Sequence, residues 1–103
     1  MSLSFNVIYK ESAMNDTYAI LDYISKDNPI AAEKFIQKIS DRIGNLSQFP
    51  FLGTLPNEFE LRKKSYRMLI IDSYIVFYIP IQALKEVRIH RILSSKQNYA
   101  TFL

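Results

Sequence analysis

The hydrophobic pattern of this chain changes period across one proline-flanked loop, Phe49-Pro50-Phe51-Leu52-Gly53-Thr54-Leu55-Pro56-Asn57. Before the loop, Ala32, Phe35, Ile36, Ile39, Ile43 and Leu46 form an unbroken stripe at helical spacing, with Glu33, Lys34, Lys38, Asp41 and Arg42 turned elsewhere. Asn28-Pro29 ahead of the stripe reads as a cap followed by proline at the first helical position, where its missing N–H does no harm. A preceding helix is expected from about Ser12 to Asp27, with Met14, Tyr18, Leu21 and Ile24 inward and Asn15, Asp16, Asp22 and Lys26 outward. Two helices joined by so short a turn must form a hairpin.

The remaining segments read as strands. Phe5, Val7 and Tyr9 alternate with Asn6, Ile8 and Lys10 as a first strand. Beyond the loop, runs at about 61–71, 74–81 and 85–93 are separated by Asp72-Ser73 and by the stretch from Pro80 to Leu84, which favours an antiparallel meander. Tyr74 to Ile79 is apolar on both faces and so belongs in the middle of a sheet. The expected fold is α+β: an N-terminal strand, a two-helix hairpin and a three-stranded meander, with both helices on one face of a mostly antiparallel four-stranded sheet and the other face left partly open. The loop aromatics are expected to tuck under the core, and residues 99–103 to form a short turn of helix or a frayed tail.

Only two glycines interrupt the 103 residues, so a single domain over residues 1–103 is expected. There is no cysteine, hence no disulfide framework. No apolar run approaches the roughly 20 residues of a membrane span, and the opening Met-Ser-Leu-Ser-Phe-Asn has no signal-peptide character. A cytoplasmic protein without a membrane partner is the expectation. One histidine and no cysteine make a metal site implausible, and neither a phosphate-binding loop nor a dinucleotide fingerprint is present, so no cofactor is expected.

Charge is divided unevenly. Residues 59–103 hold eight Lys/Arg against three acids, whereas residues 1–58 hold five against seven. A basic strand-rich half suggests a surface for nucleic acid or an acidic protein. Arg62, Lys63, Lys64 and Arg67 are expected on the first meander strand, and Arg88, His90, Arg91 and Lys96 on or just past the last. Guanidinium groups suit phosphate binding and stabilisation of a phosphorane-like transition state. Tyr66, Tyr74, Tyr78 and Tyr99 interleave with them and could stack on bases. On strict alternation Val87, Ile89 and Arg91 share one face and Arg88, His90 and Ile92 the other, an assignment that a bulge would change. His90 is the one side chain whose ordinary pKa suits proton transfer near neutrality. The simpler reading of each cation is a solvated strand face, and Glu11, Asp16, Asp22 and Asp27 read as helix solvation.

In order along the chain, Asn28-Pro29, Ala31-Ala32, Phe35-Ile36, Ile39, Phe49-Pro50, Gly53, Leu61-Arg62, Tyr74-Ile75-Val76-Phe77-Tyr78, Val87, Ile89, Arg91-Ile92-Leu93 and Lys96-Gln97-Asn98 resemble the RelE/ParE superfamily of bacterial toxins from type II toxin–antitoxin modules. The resemblance implies a toxin neutralised by a cognate antitoxin with an acidic or amphipathic C-terminal segment. RelE-type members cut messenger RNA on the ribosome without a metal, and ParE-type members poison DNA gyrase. On the first reading, Arg62, Arg67, Arg91 and Lys96 bind or stabilise phosphate, His90 carries the proton, Tyr99 replaces a terminal tyrosine, and Lys63, Lys64 and Arg88 hold nucleic acid. On the second there is no chemistry. A third is a degenerate toxin that binds its antitoxin and co-represses its operon. Ile75 stands where RelE-type chains carry a catalytic arginine, with Arg67 as a second register, and Ser94 stands where many ParE relatives carry histidine.

Overall fold

The computed structural model describes residues 4–103; Met1-Ser2-Leu3, part of the opening read above for a leader, lies outside the described residues. Strand β1 (Asn6–Tyr9) leads into helix α1 (Glu11–Asp27), and helix α2 (Pro29–Gly44) returns alongside it. Asn28 separates them, its side-chain oxygen accepting from the Ala31 N–H at 3.1 Å as an N-cap. A short helix α3 (Phe59–Lys63) precedes strands β2 (Arg67–Ile71), β3 (Tyr74–Ile81) and β4 (Glu86–Ser94). The sheet order is β1-β4-β3-β2, antiparallel except that β1 runs parallel to β4. This is the expected α+β architecture, with the apolar β3 in the interior of the sheet.

The main core lies between the helix pair and the sheet. Phe35, Ile39, Ile43 and Leu46 pack on Leu69, Ile71, Val76, Tyr78, Val87, Ile89 and Ile92. Phe35 also meets the ring of Tyr74 at 5.1 Å between centroids. The stripe read from α2 is therefore the stripe buried, with Leu46 carried on a 3-10 turn at Asn45–Ser47.

Four sequence expectations are corrected. The segment Phe59-Glu60-Leu61-Arg62-Lys63 is helical, so Arg62 and Lys63 lie on α3, Lys64 caps it, and only Arg67 of that basic group lies on a strand. The segment contains good helix formers and no β-branched residue, and only Leu61 is buried, so alternation had nothing to act on. On helix α1 Leu21 and Ile24 face the core as expected, joined by Ala13 and Ile20, but Met14 and Tyr18 are exposed and Asp16 turns toward the sheet. The loop aromatics Phe49 and Phe51 point outward, and the buried loop residues are Pro50, Gly53 and Pro56. Finally, β4 carries a bulge: Phe77 pairs with Arg91 but its neighbour Tyr78 pairs with Ile89, leaving His90 as the extra residue. Val87, Ile89 and Ile92 consequently share the helical face, and the strict parity that grouped Arg91 with Val87 and Ile89 does not hold.

The far face of the sheet has its own small core. Leu61, Tyr66, Ile75, Phe77 and Leu93 are buried there, with Met68, Ile79, Tyr99 and Leu103 against them. A strand apolar on both faces needs this second cover, which α3 and a C-terminal 3-10 turn (Tyr99–Phe102) supply. The tail is therefore an ordered turn, with Tyr99 stacked on Phe77 at 5.0 Å and its hydroxyl donating to Glu58 Oε1 at 2.8 Å. No helix among the described residues is long and apolar enough to cross a membrane.

Candidate functional site

Strand β1 pairs with β4 only through Ile89. Past that point the edge of β4 would present bare backbone, and the first turns of α1 take over. The Lys10 N–H donates to the Ile89 carbonyl at 2.9 Å, Ser12 Oγ to the His90 carbonyl at 2.6 Å, and the Ile92 N–H to Asp16 Oδ2 at 2.9 Å. Asp16 also accepts two bonds from the Arg91 guanidinium, from Nε at 2.7 Å and Nη2 at 2.8 Å. One carboxylate thus closes a strand edge and holds a fork-shaped cation, and both partners are well shielded from solvent. Hydrogen bonding to Asp16 is the main cause that holds Arg91 protonated more firmly than a free arginine. The Phe102 ring stacks over Arg91 at 5.4 Å. The adjoining groove, about 210 Å³, is lined by Asp16, Tyr74, Ser94, Gln97 and Phe102 and has no second cation beside Arg91.

The bulge brings His90 and Arg91 together beside Tyr66. The Tyr66 hydroxyl lies 3.4 Å from His90 Nδ1, and the two rings meet edge to face at 5.3 Å. Burial first, and then the charges of Lys10 and Arg88, push the His90 pKa below its ordinary value of 6.5. Burial keeps Tyr66 protonated above its usual range, opposed by Arg91. Arg88 is held by Glu86, with Nε at 3.0 Å and Nη2 at 2.9 Å from Oε1.

The His90 environment makes a stability prediction with a definite sign. Because the folded state disfavours the imidazolium, the contribution is fully present above about pH 6.5 and is eroded as the pH falls through that value toward the lower folded-state pKa. Urea midpoints between pH 7.5 and 5.5 should fall more steeply for the parent chain than for His90→Gln. Parallel slopes in the two proteins would contradict the assignment.

The other predicted site residues are distributed around this centre. Arg67 turns away from it: its Nη1 donates to the carbonyls of Gly53 at 2.7 Å and Phe51 at 3.2 Å, and its guanidinium stacks on Phe51 at 5.2 Å. Lys64 Nζ donates to the Leu103 carbonyl at 2.9 Å. Arg62, Lys63 and Lys96 are exposed, the first two on α3 and the last in the turn after β4. Tyr99 is engaged with Glu58, and that hydrogen bond is the first cause raising its pKa. The structure therefore gathers Arg88, His90 and Arg91, which are close in sequence, and separates them from Arg67. Sequence reading missed Asp16 and Glu86 as the partners of Arg91 and Arg88, and Lys10 as a charge that bears on His90. For Asp16 a signal existed, since it lies three residues past the buried Ala13 and four before Ile20, in phase with the buried face.

The family model for the ParE toxin of the type II toxin–antitoxin system, parDE, matches residues 7–99. The chain belongs to this ParE toxin family. Among solved structures, the toxin fold recurs in the chromosomal ParDE system of P. aeruginosa at 22% identity and TM-score 0.71, over 90% of this chain and 98% of that one. It recurs in the RelBE2 toxin–antitoxin complex of Mycobacterium tuberculosis at 16% identity and TM-score 0.60, covering 88% and 98%. The E. coli RelBE complex gives 12% identity and TM-score 0.55, covering 91% and 100%. At these identities the structural likenesses carry the fold alone. No curated protein matches by sequence. Asp16, Arg91 and Ile92 all fall inside the region that the ParE family model matches.

Proposed function

We propose that this ParE-family toxin disables its target by binding, as a gyrase poison, and that a cognate antitoxin with an acidic or amphipathic segment neutralises it. The observation that carries this reading is the engagement of Arg91: its Nε and Nη2 both lie on Asp16 in the most shielded ion pair among the described residues, so its charge is already offset where a developing phosphorane would need it. Three further features lean the same way. Arg67 is committed to loop carbonyls on another part of the molecule. Ile75, at the central-strand position where RelE-type relatives carry a catalytic arginine, is buried in the far core. The family model that matches is the ParE one. The partner follows from the company the family keeps, since the similar structures are of toxin–antitoxin systems.

A second reading, metal-independent cleavage of ribosome-bound message, keeps one favourable observation. His90 is held in the form that can accept a proton near neutrality and has a tyrosine hydroxyl 3.4 Å away. Purified toxin should inhibit gyrase supercoiling while leaving message intact in a coupled translation reaction, and His90→Ala should inhibit supercoiling to within about twofold of the parent. Message cut at defined codons, lost in His90→Ala, with supercoiling unaffected, would replace the binding reading with the nuclease one.

A further inference from the structure

Of the cations whose charges bear on His90, Lys10 has no role in either reading of the toxin, and Arg88 has only a general one in holding nucleic acid. Lys10 stands at the junction of β1 and α1, tied by its backbone to Ile89, and has no ion pair among the described residues. Arg88 lies two residues before His90 on β4. Glu86 occupies its Nε and one Nη2 contact, so part of its five-donor fork stays available. Tyr66 closes the other side through its hydroxyl at His90 Nδ1. The charged and titratable groups around the imidazole are thus Lys10 from the β1–α1 junction, Tyr66 from the segment before β2, and Glu86, Arg88 and Arg91 from β4. Of the acids nearby, Glu86 is held by Arg88, and Asp16 is committed to Arg91 and the Ile92 amide.

His90 follows the Ile89 carbonyl that Lys10 binds and lies two residues past Arg88 on β4. Burial together with these two charges disfavours its imidazolium, which makes the place unfavourable for a further positive charge and favourable for an anion. We propose that Lys10, Arg88, His90 and Tyr66 form a phosphoryl-anion site, fitted to a phosphate group such as that of a nucleic-acid backbone. Arg88 supplies planar donors, Lys10 a mobile point charge, Tyr66 a hydroxyl, and His90 the nitrogen not turned to Tyr66. The site holds under either account of how the toxin acts, because it requires binding and no bond-breaking step.

Proton linkage distinguishes this site from diffuse attraction to a basic surface. An anion placed among these groups offsets Lys10 and Arg88 and favours the imidazolium, so binding takes up a proton and affinity rises as the pH falls through the histidine range. As the single histidine of the chain, His90 gives an uncrowded imidazole signal in heteronuclear NMR. Its titration midpoint should rise by about 1 pH unit in saturating inorganic phosphate relative to chloride at matched ionic strength. In Lys10→Gln/Arg88→Gln the chloride midpoint should itself move up and most of the phosphate-dependent rise should disappear. Single Lys10→Gln, at an exposed position, gives the same test if the double variant is poorly folded. Short single-stranded DNA and RNA of one sequence form separate arms. A rise with either oligonucleotide assigns the site to a backbone phosphodiester, and a rise with inorganic phosphate alone assigns it to the free anion. Midpoints in phosphate and in both oligonucleotides equal to that in chloride, or an undiminished rise in both variants, would overturn the proposal.

Discussion

Gly53→Ala is expected to destabilise the protein by about 2–4 kcal/mol, the range for forcing atoms into a filled site and losing an associated hydrogen bond. A Cβ there would sit 2.6 Å from the Met68 carbonyl oxygen, 2.7 Å from the Tyr78 hydroxyl and 2.8 Å from Tyr78 Cε1. The requirement is one of space, since Gly53 does not have a positive φ. The nearest atom is backbone and cannot swing aside. The loop would have to move away from β2, giving up the Gly53 N–H to Tyr78 hydroxyl bond at 2.7 Å and the Thr54–Met68 bridge at 2.9 and 2.8 Å. That bridge occupies the outward backbone groups of Met68, and the Arg42 guanidinium donates to the Ile70 carbonyl at 3.2 Å, so the loop and Arg42 together shield the exposed edge of the sheet. Gly44→Ala is the internal control, because a Cβ there meets nothing within 4 Å and the residue is helical. It should stabilise by about 0.5–1 kcal/mol. Urea unfolding of the two variants reads the contrast directly, and an unchanged midpoint for Gly53→Ala would contradict the packing described for the loop.

Asp16→Ala should cost about 2–3 kcal/mol. Breaking a buried ion pair from one side typically costs 3–5 kcal/mol, and partial solvent access to both groups reduces this. Three bonds disappear together, and the Ile92 N–H, at an edge where β1 has already ended, loses its acceptor. Asp16→Asn should fall between, since an amide oxygen can still accept from Ile92 but has no charge for Arg91. Asp22 on the same helix makes only an exposed pair with Lys26 at 3.4 Å, so Asp22→Ala should change stability by less than about 0.5 kcal/mol. Equal losses at positions 16 and 22 would show that the clamp contributes nothing. Amide exchange adds a local reading, with Ile92 expected to lose protection in Asp16→Ala before the central β3 amides do. Removing the carboxylate charge frees Arg91 and so tests the functional argument: if clamping keeps this toxin from nuclease chemistry, Asp16→Asn, which retains an acceptor for the Ile92 N–H, is the variant in which message cleavage should be sought first.

The helix hairpin was legible because its two signals are local. Asn28-Pro29 caps α2 through a bond spanning three residues, and the Ala32–Ile43 stripe needs only a consistent period to find a core. Strand β3 was legible for a related reason: a run apolar on both faces has no stable place at an edge. The helix α3 was not legible as such, since five residues with one buried leucine give too short a sample of any period. The inward face of α1 is legible at Leu21 and Ile24 but not in its first turns, where the large apolar Met14 and Tyr18 are exposed and the small Ala13 is fully buried. Residue size says how much surface can be buried, and the neighbouring elements decide which surface is.

For the candidate site, composition correctly pointed to the C-terminal half, where Arg88, His90 and Arg91 adjoin. It could not pair them. Glu86 lies two residues from Arg88 and was within local reach, but Asp16 is 75 residues from Arg91 and Tyr66 is 24 from His90. By itself the sequence determined the order and kind of most elements, the apolar residues of the main core and the excess of positive charge beyond residue 58, because each depends on near neighbours or on simple counting. The tertiary structure decided which cations remain available. A bulge at His90, opposite Phe77 and Tyr78, resets the parity of β4, and the end of β1 at Tyr9 leaves a strand edge for Asp16 to close, and both are set by pairing between distant segments.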